Sequence, residues 1–304
     1  MPDLKTDIKI LDDDQLVTYA KYIDHCARAS RGDDTSALRN DGILLMSDEV
    51  TRPTPAYANA PATLVKYQRG WNNKYTARLL CPQEKLEDFD RDTDAFTAAV
   101  QAGDIDVTAA QYPSFLYDQK AAEDAPEDAI EPGFLKSPLL RGFYKRVWTG
   151  RHSAFRNGAR SDNTPGKPPI SRTYNISRVH PRTIAYIIVL GRFVLSSQNQ
   201  FQTMDEVGEF DNADFFNRIV KLFRDPTSPW CKDILEWWDR EIYGAGAATR
   251  KAKSTGPKKE TAADRLERLR KAERKERRRA ERERSRQVSG SSSPSREAGP
   301  SSEG

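Results

Sequence analysis

The sequence predicts an all-α protein: a compact helical domain around one buried central helix, followed by a basic C-terminal tail that is disordered or a single helix. Three observations carry this reading. Residues 181–197, PRTIAYIIVLGRFVLSS, are apolar almost all round a helical projection. Residues 132–244 hold four segments whose large apolar residues recur at three- and four-residue spacing. No run of alternating polar and apolar residues competes for a sheet.

In chain order, the first expected helix covers residues 13–29. Asp12 and Gln15 have the spacing of a capping box, and Leu16, Ala20, Ile23 and Ala27 share a face. Arg31-Gly32 is expected to end it. Residues 31–60 read as loop because of Asp41-Gly42 and prolines at 53 and 55, with a short buried run at 43–46. A helix over 61–80 carries Leu64, Val65, Tyr67 and Trp71, although Gly70 and Asn72-Asn73 are breakers. From Pro82, a face of Leu86, Phe89, Phe96 and Val100 runs to Gly103. A further candidate around Phe115, Leu116 and Tyr117 is interrupted by Pro113, and the acidic EDAPEDAIE at 123–131 reads as a linker.

Leu135, Leu139, Leu140, Phe143, Val147 and Trp148 then mark a helix whose exposed side is expected to present Lys145, Arg146 and Arg151. Residues 152–179 form a basic loop rich in Gly and Pro, of a length that is usually functional or disordered. Pro181 suits the first position of the central helix, where its missing N–H costs nothing. Ile184, Ile187, Ile188, Gly191, Val194 and Leu195 make one stripe, and Tyr186, Val189, Leu190 and Phe193 fill most of the opposite side. Gly191 implies a close approach by a neighbouring backbone, because mid-helix Gly costs about 1 kcal/mol relative to Ala. The uninterrupted apolar run, 184–191, falls far short of the ~20 residues that a membrane span needs, so no membrane partner is expected.

Asp211 or Asn212 caps the next helix, with Phe215, Phe216, Ile219, Val220, Leu222 and Phe223, and Asp225-Pro226 stops it. Ser228 and Pro229 open the last, whose packed side holds Trp230, Ile234, Trp237, Trp238 and Ile242, with Gly244 past its end. Adjacent Trp237 and Trp238 cannot both face the deepest layer. After residue 244 comes a linker. DRLERLRKAERKERRRAERERSR is helix-prone, but its two leucines cannot sustain a coiled coil, and the final Ser/Gly/Pro-rich stretch is disordered by composition. The expected division is therefore 1–132, a variable helical region with the acidic linker; 133–244, a four-helix domain; and 245–304, the tail.

The charge layout is segregated. Residues 250–304 hold 18 of the chain's 49 Lys/Arg and 9 of its 45 Asp/Glu, leaving an acidic balance elsewhere. Residues 83–132 carry 14 acidic and 3 basic residues; residues 136–192 carry 12 basic and 1 acidic. Such blocks speak to partners rather than to fold. Hydrophobic residues at 37% and charged residues at 31% depart from globular averages toward disorder, as the tail requires. Cys26, Cys81 and Cys231 are far apart and the first residues are charged, so free thiols in a reducing intracellular compartment are expected.

Four segments in this order and spacing, FLKSPLLRGFYKRVWTGRHSAF, HPRTIAYIIVLGRFVLSSQNQF, FFNRIVKLFRDP and ILEWWDREIYG, resemble a family of uncharacterised proteins of mushroom-forming fungi, domain of unknown function 6698. The resemblance spans about residues 134–243. Family members usually have Thr or Ser before the proline of the central helix, where this chain has His180. The resemblance implies a fungal source and a shared helical fold, and it supplies no catalytic residues.

Chemical motifs point away from catalysis. His25, Cys26, Cys81, His152, His180 and Cys231 lack the paired short spacings of a zinc site, so no metal is expected. Gly158 and Gly166-Lys167 are too far apart for a phosphate loop, and Pro168 stands where its hydroxyl belongs. There is no GxSxG or HExxH, and no cofactor is expected. An enzyme would need a site assembled from distant residues.

The basic block, interleaved with Tyr144, Trp148, Phe155 and Tyr174, suits a phosphate backbone with stacked bases. The competing reading sets it against the acidic residues 83–132, in the same molecule or in a partner. The function expected is a nuclear, non-enzymatic module that binds nucleic acid or chromatin-like partners electrostatically, the partner being DNA or RNA, or an acidic protein. Its contacts would be Lys145, Arg146, Arg151, Arg156 and Arg160, with Lys275, Arg277, Arg278 and Arg279 of the tail, whose clusters also resemble nuclear-import signals. The alternative is a protein-interaction scaffold that uses the acidic segment and the outward Trp.

Overall fold

The structure, a computed structural model, describes residues 12–124, 131–155, 168–205 and 210–244. The tail, most of the acidic linker and residues 156–167 of the basic loop lie outside the described residues, and so do the expectations for them.

The described helices are α1 Asp13–Ser47, α2 Lys74–Leu80, α3 Leu86–Arg91, α4 Thr93–Ala102, α5 Gln119–Glu123, α6 Pro138–Trp148, α7 Arg151–Phe155, α8 Ile170–Thr173, α9 Pro181–Leu195, α10 Asn212–Leu222 and α11 Pro229–Tyr243. One antiparallel pair of two-residue strands, the β-hairpin of β1 Met204–Asp205 with β2 Phe210–Asp211, is the sheet among the described residues. The all-α reading holds, and α9 is its centre. Ile184, Ala185, Ile187, Ile188, Leu190, Val194 and Leu195 are fully buried, and Val189 and Phe193 are nearly so.

Several caps form as the sequence predicts. Asp12 and Gln15 make the reciprocal capping box, Ser228 accepts from the third residue of its helix, and Asp211 accepts from Ala213 and Asp214. Ser137 serves α6 in the same way as Ser228 serves α11. Gly103 ends α4 in the left-handed region at φ 83°. The breakers also win: Asn73 caps α2, so the helix expected over 61–80 is confined to its last turns, with 3-10 turns at Lys66–Gln68 and Gly70–Asn72 before it. Asp92 likewise starts a new helix and splits the segment expected from Pro82.

The largest correction concerns α1. It does not stop at Gly32 but runs through the expected loop to Ser47. Gly32 carries no packing, yet Leu38, Ile43, Leu45 and Met46 beyond it are almost wholly buried in the same core as α6 and α9. Burying such side chains is worth ~1.5–3 kcal/mol each, which outweighs the ~1 kcal/mol of a helical glycine. Asp41-Gly42, read as a turn, is instead a helix contact: a Cβ on Gly42 would lie 2.7 Å from Val194 Cγ1 and 3.4 Å from Phe143 Cε1.

Phe143 therefore sits between two glycines, because a Cβ on Gly191 would meet its ring at 2.7 Å. The neighbour that approaches Gly191 is thus an aromatic ring from α6, not a backbone. The same core cluster takes in Leu38, Leu79, Phe115, Phe143, Ile188 and Trp238, so residue 132 is no packing boundary. A smaller cluster of Cys81, Leu86, Phe89, Phe96, Val100 and Val107 gathers α2, α3 and α4. Trp238 is fully buried and Trp237 only partly so, as adjacent positions require.

The glycine contacts are testable. Gly191→Ala gains helix propensity of at most ~1 kcal/mol but overpacks against Phe143, at a cost of ~1–3 kcal/mol. Urea denaturation should show a net loss of stability, and Phe143→Leu in the same chain should restore part of it.

Candidate functional site

Of the nine residues expected to bind a partner, Lys145, Arg146 and Arg151 are described; Arg156, Arg160, Lys275, Arg277, Arg278 and Arg279 lie outside the described residues. Two of these three cations are tied to the fold. Arg146 Nε lies 2.5 Å from Asp41 Oδ2 and Arg151 Nε lies 3.1 Å from Asp41 Oδ1, so one carboxylate on α1 is held by α6 and α7 together. The Arg146 side chain is only 20% exposed, whereas Arg151 keeps 62%. Lys145 is half-buried, and desolvation followed by its neighbour Arg141 lowers its pKa.

Other cations of the 136–192 block are used in the same way. Lys136 pairs with Asp233, Arg141 with Glu241, Arg178 with Asp239 and Arg192 with Asp205. Their carboxylates belong to α11 and the β-hairpin. In these pairs the block faces its own fold, through residues other than the acidic 83–132.

A second set of cations, which sequence reasoning missed, gathers at the C-terminal end of α9. A helix leaves its last carbonyls without intrahelical partners and carries partial negative charge there. Around α9 that end is buried, so protein donors must serve it. Lys66 Nζ donates to the carbonyls of Phe193 and Ser196 and lies 3.9 Å from the centre of the Phe193 ring. Arg69 Nη1 donates to Val194 O at 2.8 Å, while its other nitrogens donate to Leu64 O at 3.0 and 2.7 Å. Lys66 and Arg69 are 6% and 2% exposed. Beside them Arg192, itself buried, bonds Asp205 at 2.8 Å and packs 3.5 Å from the centre of the Phe210 ring.

Burial, then Arg69 and Arg39, pushes Lys66 down to about 6. Burial also brings Arg69 down to about 10. A neutral lysine amine retains two N–H groups, enough for its two carbonyls.

This cationic end opens onto the surface along α1. Arg28, Arg31 and Arg39, together with Gly32 and Thr35, lie on one face at helical spacing. They line a cleft of 630 Å³ whose far wall is residues 199–203. Arg39 donates to Asn199 O at 3.2 Å, and the Arg31 guanidinium lies 5.1 Å from the centre of the Phe201 ring. Asp24, paired with Arg28 at 2.6 Å, is the one carboxylate among the lining residues. A second cavity of 380 Å³, lined by Arg39, Lys66 and Arg69, continues the cleft on its other side.

A third cavity, of 390 Å³, adjoins the cleft at Arg31, Phe201 and Thr203. Tyr186, Val189, Leu190 and Phe216 make it apolar. The Tyr186 hydroxyl donates to Asp34 Oδ2 at 2.7 Å, which fixes its ring, and burial raises the Asp34 pKa against that bond. Asn212 lines the same cavity and is 2% exposed. Its Nδ2 donates to Gln202 O at 3.0 Å, and its Oδ1 is withdrawn from solvent without a hydrogen-bond partner. A buried acceptor left so costs about 1–3 kcal/mol.

The model of a family of unknown function, DUF6698, matches residues 25–243. The chain belongs to this family. The match extends more than a hundred residues N-terminal to the four segments that suggested it, and so includes the arginine face of α1 from Arg28 onward. No curated protein and no solved structure matches the chain.

Within this DUF6698 chain, Cys26 is exposed, Cys81 and Cys231 are buried, and all three are free; burial pushes the Cys81 thiol up to about 12. Among the described residues no group of three or more His, Cys, Asp or Glu is placed to hold a metal ion, and no helix is long and apolar enough to cross a membrane. The arginine face would have been visible in the sequence had the first helix been continued past Gly32. Nothing in the sequence places Lys66 and Arg69 against a helix end more than a hundred residues away.

Lys66 makes stability depend on pH. Between about 6 and the ordinary lysine range the unfolded chain holds a proton that the folded chain has released, so stability rises with pH across that window and is flat below it. Urea midpoints at pH 6 and pH 9 should therefore move further apart in the wild type than in Lys66→Met, and an equal shift in both would remove this role.

Proposed function

We propose that this protein is a non-enzymatic, nuclear module that binds nucleic acid electrostatically. The observation that carries the reading is the cleft along α1, where Arg28, Arg31 and Arg39 face a single carboxylate, with Arg69 behind Arg39. Cations surplus to their internal partners are what a phosphate chain requires, and Phe201 adds a ring at the same place. Arg151, stacked 5.0 Å from the centre of the Phe155 ring, and the half-buried Lys145 extend the basic surface. Arg146 serves the Asp41 seam instead. Arg156 and Arg160, with Lys275, Arg277, Arg278 and Arg279 of the tail, complete the charge that this reading assigns to phosphates and to nuclear import.

A second reading, a protein-interaction scaffold, is favoured by the N-terminal half of α1. There Val17, Tyr22 and Ile23 are 53%, 64% and 49% exposed.

Fluorescence anisotropy with single-stranded DNA and RNA tests the first reading on the full chain. Affinity should fall linearly on a log–log plot against salt. Replacing Arg28, Arg31 and Arg39 by Gln should weaken binding and reduce the slope by about 0.7 for each phosphate no longer neutralised. Unchanged affinity in that variant would remove the cleft from the function. Replacing Lys275, Arg277, Arg278 and Arg279 by Ala should move a fluorescent fusion out of the nucleus; retention there would refute the import role.

A further inference from the structure

Cations also meet a cavity at the opposite end of α9. A pocket of 660 Å³ lies where α9 begins and α10 ends, and its lining includes His180, Arg182, Lys221 and Arg224. Arg182, Lys221 and Arg224 are exposed, and no carboxylate of the described residues pairs with their side chains. The one acidic residue in the lining, Asp214, is bonded to Arg218 at 2.6 Å. Three cations thus face one pocket without internal partners. The α1 cleft has less to spare, since there Arg28 holds Asp24, Arg31 stacks on Phe201 and Arg39 bonds Asn199 O.

The pocket and the cleft are joined. The apolar cavity between them shares Asn217 with the pocket, and Arg31, Phe201 and Thr203 with the cleft. Along α9 the order is Arg182 in the pocket, Tyr186 and Val189 in the cavity and Phe193 in the cleft, positions that fall on one helical face. α10 runs the other way beside it, from Ala213 and Phe216 at the cavity to Lys221 and Arg224 at the pocket. The stretch of α9 from Arg182 to Phe193 is roughly 17 Å long at about 1.5 Å per residue, so the groove carries cations at both ends of that length.

This layout selects a ligand. The cationic ends suit phosphates, whereas the middle, walled by Val189, Leu190 and Phe216 with Arg31 as its one cation, suits apolar surface. A single nucleic-acid strand offers both, phosphates along its backbone and bases free to turn toward the protein; a duplex keeps its bases inside. Even a stacked strand, at about 3.4 Å per step, covers the groove with about six nucleotides. We propose that the pocket lined by Arg182, Lys221 and Arg224 is a second phosphate site, and that a single strand lies along α9 between it and the arginine cleft. This rests on the nucleic-acid reading above and deepens it by giving the strand a path and a length.

Anisotropy titrations of the full chain at several salt concentrations test it, with an eight-nucleotide single-stranded DNA, a dinucleotide of the same base and a hairpin duplex of eight base pairs. The groove variant carries Arg182→Gln, Lys221→Gln and Arg224→Gln. A control variant carries Lys74→Gln, Lys120→Gln and Arg240→Gln, which remove the same charge from exposed positions outside the groove. Melting temperatures show that both fold; should the groove variant melt early, Lys221→Gln alone is read instead, with an expected loss of about 0.7 in slope.

The octamer should bind more tightly than the dinucleotide and with a steeper log–log salt slope. The groove variant should lower the octamer's slope by about 2, three contacts at about 0.7 each, and its affinity at low salt at least about tenfold, while the control keeps the wild-type values. An octamer that binds the groove variant as it binds the wild type, or that loses as much in the control, overturns the second site and leaves the nucleic-acid reading standing. Tighter binding of the hairpin duplex than of the octamer overturns the single strand as the ligand. Failure of all three to bind the wild type overturns both readings.

Discussion

A helix without a wet side must find every partner for its backbone inside the protein, and α9 meets that condition at its carbonyl end by drawing in a lysine and an arginine. Lys66 and Arg69 come from short turns far upstream in sequence and donate to Phe193, Val194 and Ser196. Their burial is expensive, as the lowered pKa of Lys66 shows, and it is offset by carbonyls that would otherwise lack donors. With Arg192 answered by Asp205 and Lys66 neutral, Arg69 and Arg39 leave this end of the molecule a cationic surplus that reaches the surface at Arg39. The core and the candidate site are thus joined by one requirement.

The seam between α1, α6 and α9 shows how side-chain contacts outweigh local signals. Phe143 fits between Gly42 and Gly191, and Val194 approaches Gly42 from the same side. Asp41, next in sequence to that glycine, is held by Arg146 and Arg151. A dipeptide that marks a turn in isolation becomes, once α6 and α9 are present, a helical contact and an ion-pair anchor. The basic character of residues 136–192 serves the fold in much the same manner, since many of its arginines and lysines bind carboxylates of α1, α11 and the hairpin.

That use of charge shifts the search for a partner site from α6 to α1. A cation with a carboxylate at 2.5 Å has little left for a phosphate, while the arginines along the α1 cleft share a single Asp24. The family model covers this part of α1, so the cleft and the central helix belong to the same DUF6698 unit. The adjoining apolar cavity shares Arg31, Phe201 and Thr203 with the cleft, so apolar walls and cations meet at one place.

The sequence by itself determined the all-α class, the buried α9 with Pro181 at its start, the caps at Asp12 and Ser228, a cap at Asp211 or Asn212, and the opposed fates of Trp237 and Trp238. These follow from residue spacing and from hydrogen bonds between near neighbours in the chain. Only the tertiary structure decided that α1 continues through Gly32 and Asp41-Gly42, that Arg146 belongs to a seam, and that Lys66 and Arg69 close α9. Each of these depends on a partner brought from a hundred residues or more away, or on burial that outweighs a local preference of about 1 kcal/mol.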